Sequence, residues 1–175
     1  MIHKGRPSNR SQKLITRQVN LAETSPPATT EYLNWSEGSV TFNRADHPTR
    51  VPRPCHSALV LEAQISGYDM SQVFMDGASG INIIFADTLR GMNRSLANLA
   101  RSETTLHGIV PGKPVFPLGK IALDVIFGEP MNFRREKIEF EVVDWPSQYH
   151  AILGLPAFAQ FMAVPHYAYL KLKMP

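Results

Sequence analysis

The chain has 175 residues, of which 43% are hydrophobic and 19% are charged, with a formal net charge of +3. This composition is typical of a globular protein, and no apolar run approaches the roughly 18 residues of a membrane-spanning helix. The basic start lacks the apolar stretch of a secretory signal, and the single cysteine, Cys55, has no partner for an internal disulfide, so we expect an intracellular, cytoplasmic protein without membrane contact.

Residues 1–55 are predicted to form a basic, proline-rich linker that is mostly disordered. Prolines recur in the segments 25–30 and 46–54, and each one removes a backbone donor that a central strand would need. The simpler interpretation of the basic residues in segment 1–20 is a solvated, disordered arm. The more specific hypothesis is a weak contact of residues 1–20 with nucleic acid. The basic residues that precede the first acidic one are Lys4, Arg6, Arg10, Lys13 and Arg17.

A β-rich domain is predicted over residues 56–175, where apolar side chains begin to recur at every second position. A turn is expected at Gly67–Asp69. Glu139 and Glu141 are expected on the polar face of their strand. Alternating or short apolar runs predict strands over residues 59–66, 72–76, 81–85, 121–127, 138–142 and 167–173.

Two short helices are predicted among these strands, over Ala86–Met92 and Pro156–Met162. The second has its proline where the first turn of a helix tolerates it. Trp145 is expected to be a packing residue. The chain has no repeat and no β-α-β spacing, and short strands separated by turn residues indicate an all-β domain.

Asp76 is the candidate catalytic residue, because it ends an apolar strand and begins a turn of small residues. Small residues let backbone amides approach a carboxylate closely. Two such carboxylates held about 3 Å apart share one proton, and the pair then acts as general base and general acid on one water. Taken alone, a plain tight turn is the simpler interpretation. The turn consists of Gly77, Ala78, Ser79 and Gly80.

Two further segments follow in a suggestive order. Ala151–Phe158 is an apolar strand, a glycine and a short helix, which by itself is an ordinary strand-to-helix junction. A loop between Asp76 and this segment has the glycines of a mobile hairpin that covers a cleft, although many surface loops have a similar composition. That loop consists of Gly108, Ile109, Val110, Pro111 and Gly112.

In this order, and in several blocks of sequence, the chain resembles the retropepsin-like protease region of plant Ty3/gypsy-type retrotransposon polyproteins. The resemblance covers nearly the whole chain, and its most specific block is Tyr149–Gly154. The other blocks span residues 15–20, 33–37, 56–60, 73–85, 116–121, 140–144, 147–148 and 163–167.

The resemblance implies an all-β acid protease half-barrel with one or two short helices, preceded by the disordered linker. It implies an aspartic endopeptidase that works as a homodimer, without metal or cofactor, on the element's own polyprotein, inside the cell and in virus-like particles. Asp76 would be the catalytic aspartate, and the 108–112 loop would belong to the flap. The active-site loop would consist of Gly77, Ala78 and Ser79, braced by Ile152, Leu153 and Gly154.

Two departures from the pattern of this family matter. Retropepsins generally have Thr or Ser after the aspartate; Gly77 lacks the hydroxyl group that bonds across the dimer, and plant relatives often have glycine at this position too. Ala78 stands where plant relatives have glycine; if that position needs a positive φ, the methyl group costs about 1 kcal/mol or more. Leu155 stands where relatives commonly have arginine. The departures support an alternative, a catalytically inactive dimerisation or peptide-binding module from a degenerate copy.

Overall fold

A computed structural model of the chain describes residues 37–49, 57–110 and 113–175, and this part is built mostly of β-strands. Two α-helices, α1 (Ala86–Gly91) and α2 (Leu155–Phe161), and two 3₁₀ helices, Arg44–Asp46 and Leu96–Asn98, accompany the strands. The strands are β1 (Val60–Ile65), β2 (Tyr68–Met75), β3 (Ile83–Phe85), β4 (Leu106–Val110), β5 (Lys113–Val115), β6 (Gly119–Glu129), β7 (Asn132–Val143), β8 (Ala151–Leu153), β9 (Val164–His166) and β10 (Lys171–Lys173).

Six of these strands close into a barrel in the order β1-β2-β8-β3-β7-β6, while β4–β5 and β9–β10 form separate two-stranded sheets. The predicted all-β class with two short helices is confirmed. The predicted half-barrel is a closed barrel, because β1 also pairs with β6 through Gln64 and Ile65. Within the described residues, no helix has the length and apolarity to span a membrane.

The core fills the barrel because the long β6–β7 hairpin alternates as its sequence predicts. Every second side chain of β6 and β7 faces inward, and each such side chain contributes about 1.5–3 kcal/mol of hydrophobic stabilisation. Phe127 on β6 also contacts Phe161 on α2 edge-on, at 5.2 Å between ring centroids. The inward residues of the hairpin are Leu123, Val125, Phe127, Ile138, Phe140 and Val142.

Two local predictions were wrong. The first turn lies at Ser66–Gly67 and not at Gly67–Asp69, because Ser66 and Gly67 both have positive φ, 48° and 87°, as a two-residue hairpin turn requires. Glu141 is not on a polar, exposed face. It is only 5% exposed, because the segment before β4 covers it and the Thr104 hydroxyl donates to its Oε1 at 2.7 Å.

The predicted final strand over residues 167–173 is also interrupted. β9 ends at His166, a turn spans residues 167–170, and β10 begins at Lys171. Leu170 has a φ of 52°, which breaks the extended backbone. The interruption places Tyr167 on a turn instead of in a strand.

Residues 37–49 pack against this C-terminal β9–β10 sheet. The Lys173 ammonium donates to Asp46 Oδ2 at 2.6 Å and to the Thr41 carbonyl oxygen at 2.8 Å. The Phe42 ring lies 5.0 Å from that of His166. The predicted boundary between the linker (1–55) and the domain (56–175), like residues 1–36 of the linker itself, lies outside the described residues and stays a prediction.

Candidate active site

Asp76 follows β2 directly and forms a tight turn through its own side chain. Its backbone N–H donates to the Leu153 carbonyl oxygen at 2.8 Å, which continues the pairing of β2 with β8. Its carboxylate Oδ1 accepts the Ala78 N–H at 3.0 Å, and its carbonyl oxygen accepts the Ser79 N–H at 3.1 Å. The half-buried carboxylate is therefore held in a defined position by a loop that bonds back onto it.

Ala78 and Ser79 are the next positions of this loop, and Ala78 is one of the departures noted in the sequence. Ala78 is exposed and does not have a positive φ. Its methyl group therefore does not cause the backbone strain that a positive φ would have imposed. Ser79 Oγ donates to the Ile81 carbonyl oxygen at 2.8 Å. The Ser79 hydroxyl is thus used inside its own turn and does not substitute for the hydroxyl that Gly77 lacks.

The predicted bracing segment lies beside the Asp76 loop. Strand β8 lies between β2, with which it pairs in parallel, and β3, with which it pairs antiparallel. Ile152 therefore pairs with strands on both sides of the loop, and Leu153 pairs with Met75 at the end of β2. At Gly154 an added Cβ would collide with the carbonyl oxygens of Ser79 and Ile81. The N–H of Leu155 then donates to the Ser79 oxygen at 2.8 Å.

Asn82 completes this support and was missed by the sequence analysis. Its side chain is 5% exposed; Oδ1 accepts the Gly154 N–H at 2.9 Å and Nδ2 donates to the Glu139 carbonyl oxygen at 3.0 Å. Both bonds join Asn82 to residues at least 57 positions away. The local sequence does not reveal that Asn82 supports the loop, because a polar residue after a turn is common.

Asp76 opens onto a groove of about 620 Å³. Asp76 is the only acidic residue among the described residues that line it. Trp145 is 43% exposed and forms part of the wall, and its predicted role in packing stays a prediction. The remaining lining residues are small, hydroxyl-bearing or apolar: Ala78, Ser79, Gly80, Ile81, Ile83, Phe85, Thr104, Thr105, Leu106, Pro146, Ser147 and Ile152.

The predicted flap begins at the rim of this groove. Gly108, Ile109 and Val110 belong to β4, while Pro111 and Gly112 lie outside the described residues. Leu106, the first residue of β4, is 3% exposed and packs in a small apolar cluster with Ile83, Phe85 and Val143. The base of the β4–β5 hairpin is therefore anchored next to the Asp76 loop.

Tyr167 is a second residue that sequence reasoning missed. Its hydroxyl oxygen accepts the N–H of Gly77 at 3.2 Å, which brings the turn after β9 onto the Asp76 loop.

In the ranges 37–49, 57–110 and 113–175, no group of three or more His, Cys, Asp or Glu side chains is arranged to hold a metal ion.

No protein-family model and no curated protein matches the chain. Among solved structures, the retroviral protease-like domain of Ddi1 from Leishmania major aligns with a TM-score of 0.48 at 13% identity, over 67% of this chain and 87% of that one. A retropepsin-like aspartic protease from Rickettsia conorii aligns with a TM-score of 0.46 at 15% identity, over 62% and 76%. The structural neighbours of this all-β domain are thus retropepsin-like aspartic protease domains.

Proposed function

We propose that the chain is an aspartic-type endopeptidase domain of a Ty3/gypsy-type retrotransposon polyprotein, active as a homodimer. The observation that carries the proposal is the Asp76 carboxylate at the end of β2, held in a hydrogen-bonded loop and opening onto a groove. The resemblance in sequence supports the retroelement origin.

The presence of a single carboxylate in the groove is the argument for two copies. Hydrolysis by a water molecule activated between two carboxyl groups needs one of them ionised and the other protonated, and Asp76 has no acidic neighbour among the described groove residues. A two-fold axis through the Asp76 loop would supply the second group from an identical chain. One carboxylate then takes a proton from water as it attacks the peptide carbonyl, and the other protonates the departing amine, without a covalent intermediate or a metal.

The shape and lining of the groove support an extended peptide as substrate. Phe85, Leu106 and Trp145 give it apolar surface, and Thr104 and Ser147 add hydroxyl groups at the same wall. The hairpin formed by β4 and β5 begins at its rim, where a flap would cover a bound chain. The natural substrate would be the polyprotein itself, cleaved inside the cell or in a virus-like particle.

The test is cleavage of a peptide library at about pH 4–6, where a carboxyl pair holds one proton, with and without pepstatin. Asp76→Asn is expected to abolish cleavage, whereas Asp69→Asn, the same change at the exposed far end of β2, is expected to leave it unchanged. Cleavage that survives Asp76→Asn would refute the assignment.

Sedimentation of the same samples separates the enzyme from the alternative module. A dimer that cleaves supports the endopeptidase, and a dimer that binds peptides without cleaving supports the inactive dimerisation or peptide-binding module. A strict monomer at micromolar concentration would leave Asp76 without a partner and would contradict both the endopeptidase and the dimerising form of the module.

A weak contact of residues 1–20 with nucleic acid is a separate proposal. The clustered basic residues of this segment support it. It requires binding that weakens with rising salt and disappears when residues 1–20 are removed.

A further inference from the structure

The contact between Tyr167 and Gly77 joins two parts of the chain that are 90 residues apart. The Asp76 loop has four consecutive backbone N–H groups, from Asp76 to Ser79. Three of them are bonded to Leu153 or to Asp76 itself. The fourth, the N–H of Gly77, donates to the Tyr167 hydroxyl oxygen. With this bond, all four N–H groups of the loop have a partner.

The same hydroxyl occupies the space that a side chain at position 77 would need. A Cβ built on Gly77 would collide with the Tyr167 hydroxyl oxygen, whereas the ring carbon Cζ that carries this oxygen would be 3.6 Å away, an ordinary contact. Gly77 does not have a positive φ, so its backbone does not require glycine. Among the described residues, the close approach that disfavours a side chain at position 77 is therefore to the Tyr167 hydroxyl oxygen, at the end of that side chain.

The turn around Tyr167 is supported by contacts of its neighbours that do not involve the Asp76 loop. The turn that carries it is closed by the Tyr169 N–H, which donates to the His166 carbonyl oxygen at 3.1 Å, and the Tyr169 ring stacks on the His166 ring at 3.8 Å. The next strand is anchored through Lys173 to Asp46. The hydroxyl is thus presented to the loop by a separately supported element.

We propose that Tyr167 is the positioning residue of the Asp76 loop: within one chain, its hydroxyl takes the place beside the aspartate that a hydroxyl-bearing side chain at position 77 would occupy. The inference rests on the proposed peptidase function. The Tyr167 hydroxyl accepts the Gly77 N–H within one chain, which is a different bond from the one that the family makes across the dimer. Positions 77 and 167 are therefore expected to depend on each other.

The experiment compares four proteins: the natural chain, Gly77→Ser, Tyr167→Phe and the double variant. Gly77→Ser alone is expected to lower both Tm and cleavage, because its Cβ displaces the phenol. Tyr167→Phe is expected to lower kcat with little change in KM, and to speed hydrogen exchange of the Gly77 amide about tenfold, the factor of one ordinary hydrogen bond. The double variant should recover Tm and kcat relative to Gly77→Ser, since the ring without its oxygen leaves 3.6 Å for the new Cβ.

Tyr169→Phe is the matched control, because this tyrosine lies on the same turn and its hydroxyl makes no hydrogen bond within the described residues. It should change neither kcat nor the exchange of the Gly77 amide. Effects of the two single changes that simply add in Tm and kcat would overturn the proposal. If no variant and no natural chain cleaves any peptide, the peptidase function fails, while the Tm values and the Gly77 exchange rates still decide the role of Tyr167.

Discussion

Gly154 leaves room for two backbone carbonyl oxygens of the Asp76 loop. A methyl group there would collide with the oxygens of Ser79 and Ile81, and neither of these moves as easily as a side chain. Gly154→Ala is therefore expected to lower the free energy of unfolding by about 1–3 kcal/mol, as overpacking does elsewhere. Urea denaturation measures the loss, and peptide cleavage is expected to fall with it.

Gly80 provides the control for this change. It belongs to the same loop, has open space around its Cα and does not have a positive φ. Gly80→Ala is expected to shift the free energy of unfolding by less than about 0.5 kcal/mol. Equal losses at both positions would mean that the loop needs flexible glycines and not the close approach seen at Gly154.

At the scale of single residues, the sequence predicts Asp76 but not its supports. The aspartate is visible because an apolar strand and a small-residue turn flank it directly. Asn82 and Tyr167 act through partners 57 to 90 positions away, and nothing in their local sequence distinguishes them from ordinary surface residues. Long-range backbone partners become visible only when the strands are paired.

Asn82 joins three barrel strands at the point where the Asp76 loop ends. Its amide bonds the backbone of β7 at Glu139 and the residue after β8, Gly154, while its own position leads into β3. Asn82→Leu keeps a similar volume but leaves the buried Gly154 N–H and the partly buried Glu139 carbonyl oxygen without their side-chain partner. We expect a loss of about 2 kcal/mol or more in the free energy of unfolding.

The measurement is urea denaturation beside Asn98→Leu, an exposed asparagine in a 3₁₀ helix, which is expected to change little. A loss at Asn82 no larger than that at Asn98 would show that the amide bonds contribute nothing net. The hydrogen bonds of the Asp76 loop would then depend on β8 alone.

Among the elements, the barrel strands could be predicted from the alternation of apolar side chains, whereas the final turn could not. Leu123, Val125 and Phe127 face the core because every second residue of a strand points to the same side. The segment from Tyr167 also alternates, yet Leu170 adopts a left-handed conformation there. Neither its composition nor its period reveals this, because leucine seldom adopts that backbone unless its surroundings impose it.

For the molecule as a whole, Asp46 links the segment 37–49 to the C-terminal sheet. The hydrogen bond from Lys173 lowers the pKa of this carboxyl group, the backbone N–H of Asn43 and the charge of Lys171 act in the same direction, and partial burial opposes them. Because the pKa in the folded chain lies below its unfolded value near 3.8, the ionised form stabilises the fold above that pH. This stabilisation is lost as the pH falls through the folded pKa.

Asp46→Asn is therefore expected to lower the free energy of unfolding at pH 7, with the difference from the natural chain shrinking below about pH 4. Urea denaturation at several pH values measures this. Asp87→Asn removes an exposed pair with Arg90 and is expected to have a smaller effect at pH 7. A loss at Asp46 that stays constant from pH 7 to pH 3 would contradict the ion-pair origin.

The parallel pairing of β2 with β8 also decides when the Asp76 loop is completed during protein synthesis. Leu153 and Leu155 supply backbone partners to Asp76 and Ser79, yet they are made more than 70 residues later. Until these residues have left the ribosome, Asp76 lacks the backbone hydrogen bonds that shape its loop. The loop around the Asp76 carboxylate is therefore completed only after Leu153 and Leu155 have emerged from the ribosome.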